Sequence, residues 1–164
     1  FGIHTPLVAV HDHNEGDIAS RLVDRLRGGD SLALVSDAGT PLVSDPGFRL
    51  VRAVREAGRP VVPVPGACAA IAALSVAGIP SDRFCFEGFL PVKSAARRER
   101  LGELVGEART LVFYESAHRI EESLADLVAA FGAEREATLG RELTKRFETV
   151  LGPTLGAIAH AVAG

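Results

Sequence analysis

A chain of 164 residues, 47% of them apolar, can bury a sizeable core as one domain or two small ones, which excludes a disordered chain. The formal net charge of −3 gives no global pull toward nucleic acid, so any such contact must come from a local patch. No apolar run approaches the ~20 residues of a membrane-spanning helix, and "FGIHTPLVAVHDH" lacks the charged start of a signal peptide, so a soluble, cytoplasmic protein with no membrane partner is expected.

In chain order, "LVAV" at 7–10 is a candidate strand. A helix follows in "HDHNEGDIASRLVDRLRGGD", with Asn14 and Asp17 placed as a capping pair, Ile18, Leu22 and Leu26 on one face, and Gly28 and Gly29 as the stop. Residues 31–35 predict a strand covered on both faces. After the loop "VSDAGTPLVSDPG", Asp45 and Pro46 fit a cap and a first-turn proline for a helix carrying Phe48, Leu50, Val51 and Val54 to Gly58. "PVVPVPG" predicts a short strand end or edge, turning at Gly66 into a helix of small residues, "ACAAIAALSVAG". "FCFEGF" is a further strand. Composition then turns basic at "LPVKSAARRERLGELV", which places a domain junction near Leu90 and Pro91. Beyond it, "RTLVFYES" predicts a strand, "SAHRIEESLADLVAAFG" an amphipathic helix capped by Ser116 and stopped at Gly132, "EATLGREL" and "RFETVL" strands, and "TLGAIAHAVAG" a final helix.

Strand and helix alternating with short connections predict the α/β class with a mainly parallel sheet in the N-terminal part. The expected domains are 1–90, incomplete at its start, and 91–164, incomplete at its end. The absence of methionine and the abrupt opening "TPLVAV" lead to the expectation of a fragment. Cys68 and Cys85 stand in apolar contexts without metal-ligand spacing and read as reduced thiols. His11 and His13 fit a solvated turn better than a metal site, so no metal is expected.

The loop 35–47 is the densest signal. It leaves a strand end, where open α/β sheets bind ligands, and Gly39 and Gly47 let backbone approach a ligand closely while Pro41 and Pro46 stiffen it. A double turn with an aspartate cap is the alternative. The loop has neither the Lys-Ser/Thr ending of a P-loop nor the glycine spacing of a dinucleotide fingerprint. Pro65 and Gly66 repeat the theme at a second strand end, and Tyr114 and Glu115 at a third.

Taken in order, "HDHNE", "LVSDAGTPLVSDPG", "VPGACAAIAALSVAGIPSDRF", "FEGFLP", "RTLVFYESAHR" and "RELTK" resemble the tetrapyrrole-methylase superfamily over nearly the whole chain, and within it the branch that modifies ribosomal RNA. The resemblance implies two α/β domains with a cleft between them for S-adenosylmethionine, a homodimer, and methylation of the ribose 2′-oxygen of a cytidine in small-subunit ribosomal RNA. The family's first strand, with a "PTPIGNL"-type loop and an "AEDTR"-type segment, has no counterpart here, nor has its closing strand. The resemblance assigns cofactor contacts to Gly39, Thr40, Pro41, Leu42 and Val43, to Ala69 and Ala70, to Phe113 and Tyr114, and to Leu139 and Gly140.

The attacking hydroxyl must lose a proton, for which Asp37, Asp45, Glu115, Glu142 and His118 are candidates, with Lys145 placed to orient a phosphate. Asp37, Glu115 and Lys145 are the catalytic set carried forward. Lys93, Arg97, Arg98 and Arg100 form the candidate RNA-binding row, with a solvated helix face as the alternative. The rival functions are methylation of a tetrapyrrole or corrin precursor at carbon, and a non-catalytic α/β binding module.

Overall fold

The computed structural model describes residue 2 and residues 4–164. They fall into two compact units, the first ending at Ala67 and the second running Cys68–Gly164.

The first unit is a helix pair. Helix α1, Glu15–Arg27, and helix α2, Phe48–Glu56, bury Ala19, Leu22, Val23, Leu50 and Val54 against one another, with Ile18, Leu26 and Leu34 at the margin. The fourth-residue spacing that predicts α1 therefore marks its packed face, each such burial being worth about 1.5–3 kcal/mol. The caps differ from expectation. Asn14 folds back onto the preceding turn, its Oδ1 accepting the His11 N–H and its Nδ2 donating to the Ala9 carbonyl, at 2.9 and 3.1 Å. Asp45 and Pro46 lie ahead of α2, whose N-cap is Gly47 at φ +131°. The side chain that serves the start of α2 is Glu15, 4% exposed, whose Oε1 accepts the Leu50 N–H at 3.0 Å across the helix pair.

Segments 7–10, 31–35 and 60–66 are not strands in the structure, and Val35, Val62 and Val64 are 73, 77 and 86% exposed. An apolar run becomes a strand only when a second backbone takes up its N–H and C=O groups, and no described residue pairs with these segments.

The second unit carries the parallel sheet of the α/β class. Helix α3, Ala69–Val76, leads to strand β1, Phe84–Phe89; helix α4, Ser94–Leu104, crosses over to strand β2, Thr110–Tyr114, parallel to β1. Helix α5, Ile120–Phe131, an antiparallel hairpin of β3, Leu139–Arg141, and β4, Thr149–Leu151, and helix α6, Leu155–Ala163, complete it. Leu124, Leu155 and Ile158 form its core. Ser116 does not cap α5, which begins four residues later behind Arg119, whereas Gly132 does end it, at φ +87°. Thr154 caps α6 by accepting the Ala157 N–H. Among the described residues no helix is long and apolar enough to cross a membrane.

Candidate functional site

The second unit holds a cavity of about 960 Å³, bordered among others by Ala69, Ala70, Phe113, Tyr114, Leu139 and Gly140. These come from α3, the end of β2 and the start of β3, and the volume is at the upper end of what small-molecule sites use.

The aromatic wall is built by a register slip. Phe86 faces Val112, but the next pair is Gly88 with Phe113, which leaves Glu87 unpaired. In a regular strand Phe86 and Phe89 would point to opposite faces; the extra residue puts both beside Tyr114, at centroid distances of 4.9 and 5.6 Å. Gly88 makes this possible, because the bulge needs φ +65° there. Tyr114 in turn accepts the Ala70 N–H at 3.1 Å, fixing the first turn of α3 against the strand end. On the opposite wall a Cβ at Gly140 would stand 3.0 Å from Leu143 Cδ1, so the glycine lets Leu143 close against the hairpin. Small and aromatic walls of this kind suit a ligand with planar and cationic parts.

Glu115, directly after β2, is held from all sides. Its Oε1 accepts the Ser116 N–H at 2.7 Å and pairs with Arg119 at 2.6 Å, and its Oε2 accepts the Ser123 hydroxyl at 2.6 Å. Arg119 also donates to the Leu90 carbonyl, so the network ties the strand end to α5 and to the chain after β1. With the side chain 7% exposed and both oxygens engaged, Glu115 holds Ser116, Arg119 and Ser123 in place. At the other end of β2, Arg109 beside Glu107 holds that carboxyl at about 2, and the same contact pushes the Arg109 guanidinium up.

The first-unit loop is shaped by positive-φ residues: Gly39 and Gly47, and also Leu42 at φ +72° and Ser44 at φ +61°. A Cβ at Gly47 would meet Leu34 and Leu42 side chains at 2.9 Å, which explains the glycine by packing. Thr40 Oγ1 donates to the Ala67 carbonyl at 2.9 Å and Ser36 Oγ to that of Gly39 at 3.0 Å, tying the loop to the segment before α3 and to itself. Asp37 and Gly39 are exposed, and Thr40, Pro41 and Val43 half-buried.

The basic row divides. Arg97 is 1% exposed, its Nε 2.7 Å from Asp126 on α5 and its Nη2 3.6 Å from Glu122, so it is a buried helix-to-helix pin and leaves the RNA-binding set. Arg98, its neighbour, is 60% exposed. Arg100 bridges Glu87 and Glu103, each at 2.6 Å, and these acids push its guanidinium up, Glu87 first. Lys93 is exposed. Lys145 pairs loosely with Glu142 at 3.3 Å, and His118 is exposed. Among the described residues no cluster of His, Cys, Asp or Glu is arranged to hold a metal ion.

Sequence reasoning missed Phe86, Phe89, Arg119, Ser123 and Glu15. The alternating phenylalanines of "FCFEGF", broken by Glu-Gly, are the signal that could have revealed the first two.

The family model described as Tetrapyrrole (Corrin/Porphyrin) Methylases matches residues 3–159. The chain is 62% identical over 163 residues to a Xylella fastidiosa protein named Ribosomal RNA small subunit methyltransferase I, covering 99% of this chain and 60% of that one. Proteins of the same name from Pseudomonas aeruginosa and Escherichia coli O157:H7 are 62% and 58% identical, covering 92% and 95% of this chain and 53% and 54% of their own. The chain thus spans a little over half the length of the curated relatives it matches.

Proposed function

This chain belongs to the tetrapyrrole methylase family, and from that premise we propose that it acts as an S-adenosylmethionine-dependent methyltransferase on small-subunit ribosomal RNA, with the ribose 2′-oxygen of a cytidine as acceptor. The supporting observation is the convergence of Ala69, Ala70, Phe113, Tyr114, Leu139 and Gly140, assigned to the cofactor by motif, on one cavity.

The residues fit the cofactor chemically. S-adenosylmethionine supplies a methyl group on a sulfonium that leaves by in-line displacement, so alignment carries much of the rate. Ala69 and Ala70 leave space at the wall, and Tyr114, braced by Phe86 and Phe89, makes part of that wall aromatic, which suits a cation or a planar base. The first-turn amide of Ala70 is already spent on Tyr114, which lessens the positive end of α3 that a sulfonium would avoid. In the first unit, Gly39, Thr40, Pro41, Leu42 and Val43 offer backbone groups fixed by the Thr40–Ala67 bond.

Asp37, exposed and without a side-chain partner among the described residues, is the candidate to receive the ribose proton, and Glu115 positions Arg119 and Ser123. Lys145 contacts phosphate, and Lys93, Arg98 and Arg100 the RNA backbone. A cytoplasmic homodimer with two domains walling the cofactor completes the proposal.

Methyl transfer from labelled cofactor, with assembled small subunits, naked ribosomal RNA and corrin precursors offered in parallel, tests it. Label in a ribose is expected. Label in the corrin precursor would favour carbon methylation of a tetrapyrrole, in line with the family's corrin and porphyrin methylases; cofactor binding without transfer to any acceptor would leave only a binding module.

A further inference from the structure

The loop joining β3 to β4 carries an exposed aromatic, Phe147, that the proposed chemistry does not use. Phe147 is 67% exposed, the most of any phenylalanine among the described residues. The Arg146 guanidinium lies 5.4 Å from its ring centroid. The loop's acids are engaged internally: Glu148 accepts the Thr144 N–H, and Glu142 pairs with Lys145 at 3.3 Å. Arg141 is exposed with no acid partner among the described residues. The loop is also pre-shaped, the Lys145 N–H bonding the Glu142 carbonyl at 2.9 Å and the Glu148 N–H that of Lys145 at 3.2 Å. Its stem is a wall of the cavity, which Leu139, Gly140 and Leu143 all line.

We infer that this hairpin holds the RNA strand beside the target nucleotide, Phe147 stacking on an unpaired base while Arg141 and Arg146 take the flanking phosphates. Solvent-facing aromatic rings flanked by cations bind single-stranded RNA through the π-face every base presents and through phosphate charge. A hairpin rooted in the cavity wall would hold the strand where the neighbouring ribose can enter. The inference rests on the reading that the substrate is RNA.

The test uses the full-length protein and a fluorescent, cytidine-containing single-stranded RNA oligonucleotide, with titration at several salt concentrations and calorimetry for the cofactor. Phe147→Leu keeps an apolar side chain but removes the π-face; it should weaken RNA binding about tenfold with the salt slope unchanged, and Phe147→Trp should restore it. Arg146→Gln should flatten the slope by about 0.7. Cofactor affinity should stay at the wild-type value in all three. Wild-type RNA affinity in Phe147→Leu would overturn the inference alone. Weakened binding to assembled subunits but not to the oligonucleotide would put a ribosomal protein against Phe147 and overturn it too. A wild-type protein that binds no RNA would remove the underlying reading along with it.

Discussion

Replacing Arg97 by alanine separates folding from RNA contact on helix α4. Its guanidinium is buried, 2.7 Å from Asp126 and 3.6 Å from Glu122, with a further bond to the Val92 carbonyl. Removing it leaves the Asp126 carboxylate, itself only 13% exposed, without its main counter-charge. Breaking a buried pair in this way costs about 3–5 kcal/mol. The lower end applies here, because Ser94 still reaches Asp126 at 3.3 Å and Arg98 stands at 3.9 Å. A loss of about 3 kcal/mol in a chain of this size lowers Tm by about 6–12 °C. Arg98→Ala, at an exposed position, should cost no more than about 1 kcal/mol. Thermal unfolding followed by circular dichroism gives the first comparison, and RNA titration at several salt concentrations the second. Arg98→Ala should weaken RNA binding and flatten its salt dependence, whereas folded Arg97→Ala keeps the wild-type slope. The double change Arg97→Met with Asp126→Leu should recover most of the lost stability, since no charge is then stranded. An Arg97→Ala protein that melts within a degree or so of wild type but loses RNA affinity would refute the reasoning and return Arg97 to the RNA surface.

Glu15→Ala should destabilise the first unit by about 1–3 kcal/mol by stranding the Leu50 N–H, and Glu15→Gln by less, because an amide oxygen can still accept; urea unfolding of both variants decides it. Gly39→Val should lose stability as well as cofactor affinity, since a Cβ at φ +76° costs about 1–2 kcal/mol and β-branching adds to it. Thr40→Val is the cleaner probe of the loop: it removes only the bond to the Ala67 carbonyl, for about 0.5–1.5 kcal/mol, and calorimetry showing unchanged cofactor affinity would exclude the loop from the pocket. Glu107 is held at about 2, below its ordinary 4.5, by Arg109, so its stabilisation is present above the ordinary value and fades as pH falls through about 2. Carboxyl-carbon NMR should show that midpoint and its return toward 4.5 in Arg109→Gln; a wild-type midpoint near 4.5 would remove the ion pair from the argument.

Local periodicity and local sterics are legible in the chain before any tertiary contact is known. The spacing of Ile18, Leu22 and Leu26 marks the buried face of α1, "TLVFY" marks β2, and the glycines at 39, 47 and 132 mark backbone that only glycine adopts easily. Motif order marks the family, whose model matches residues 3–159. The fate of neighbouring identical residues is not encoded locally. Arg97 and Arg98 differ by 100° around one helix, and only the approach of α5 makes one a buried pin and leaves the other in solvent. Glu15 serves the N-terminus of a helix that starts more than thirty residues later, and Phe89 joins Phe86 at Tyr114 through a one-residue slip against β2. The apolar runs at 31–35 and 60–66 have the composition of strands, but a strand is a relation between two backbones, and composition in one segment says nothing of the other. Burial of charge, capping at a distance and strand pairing are properties of pairs far apart in the chain, so only the tertiary structure could decide them.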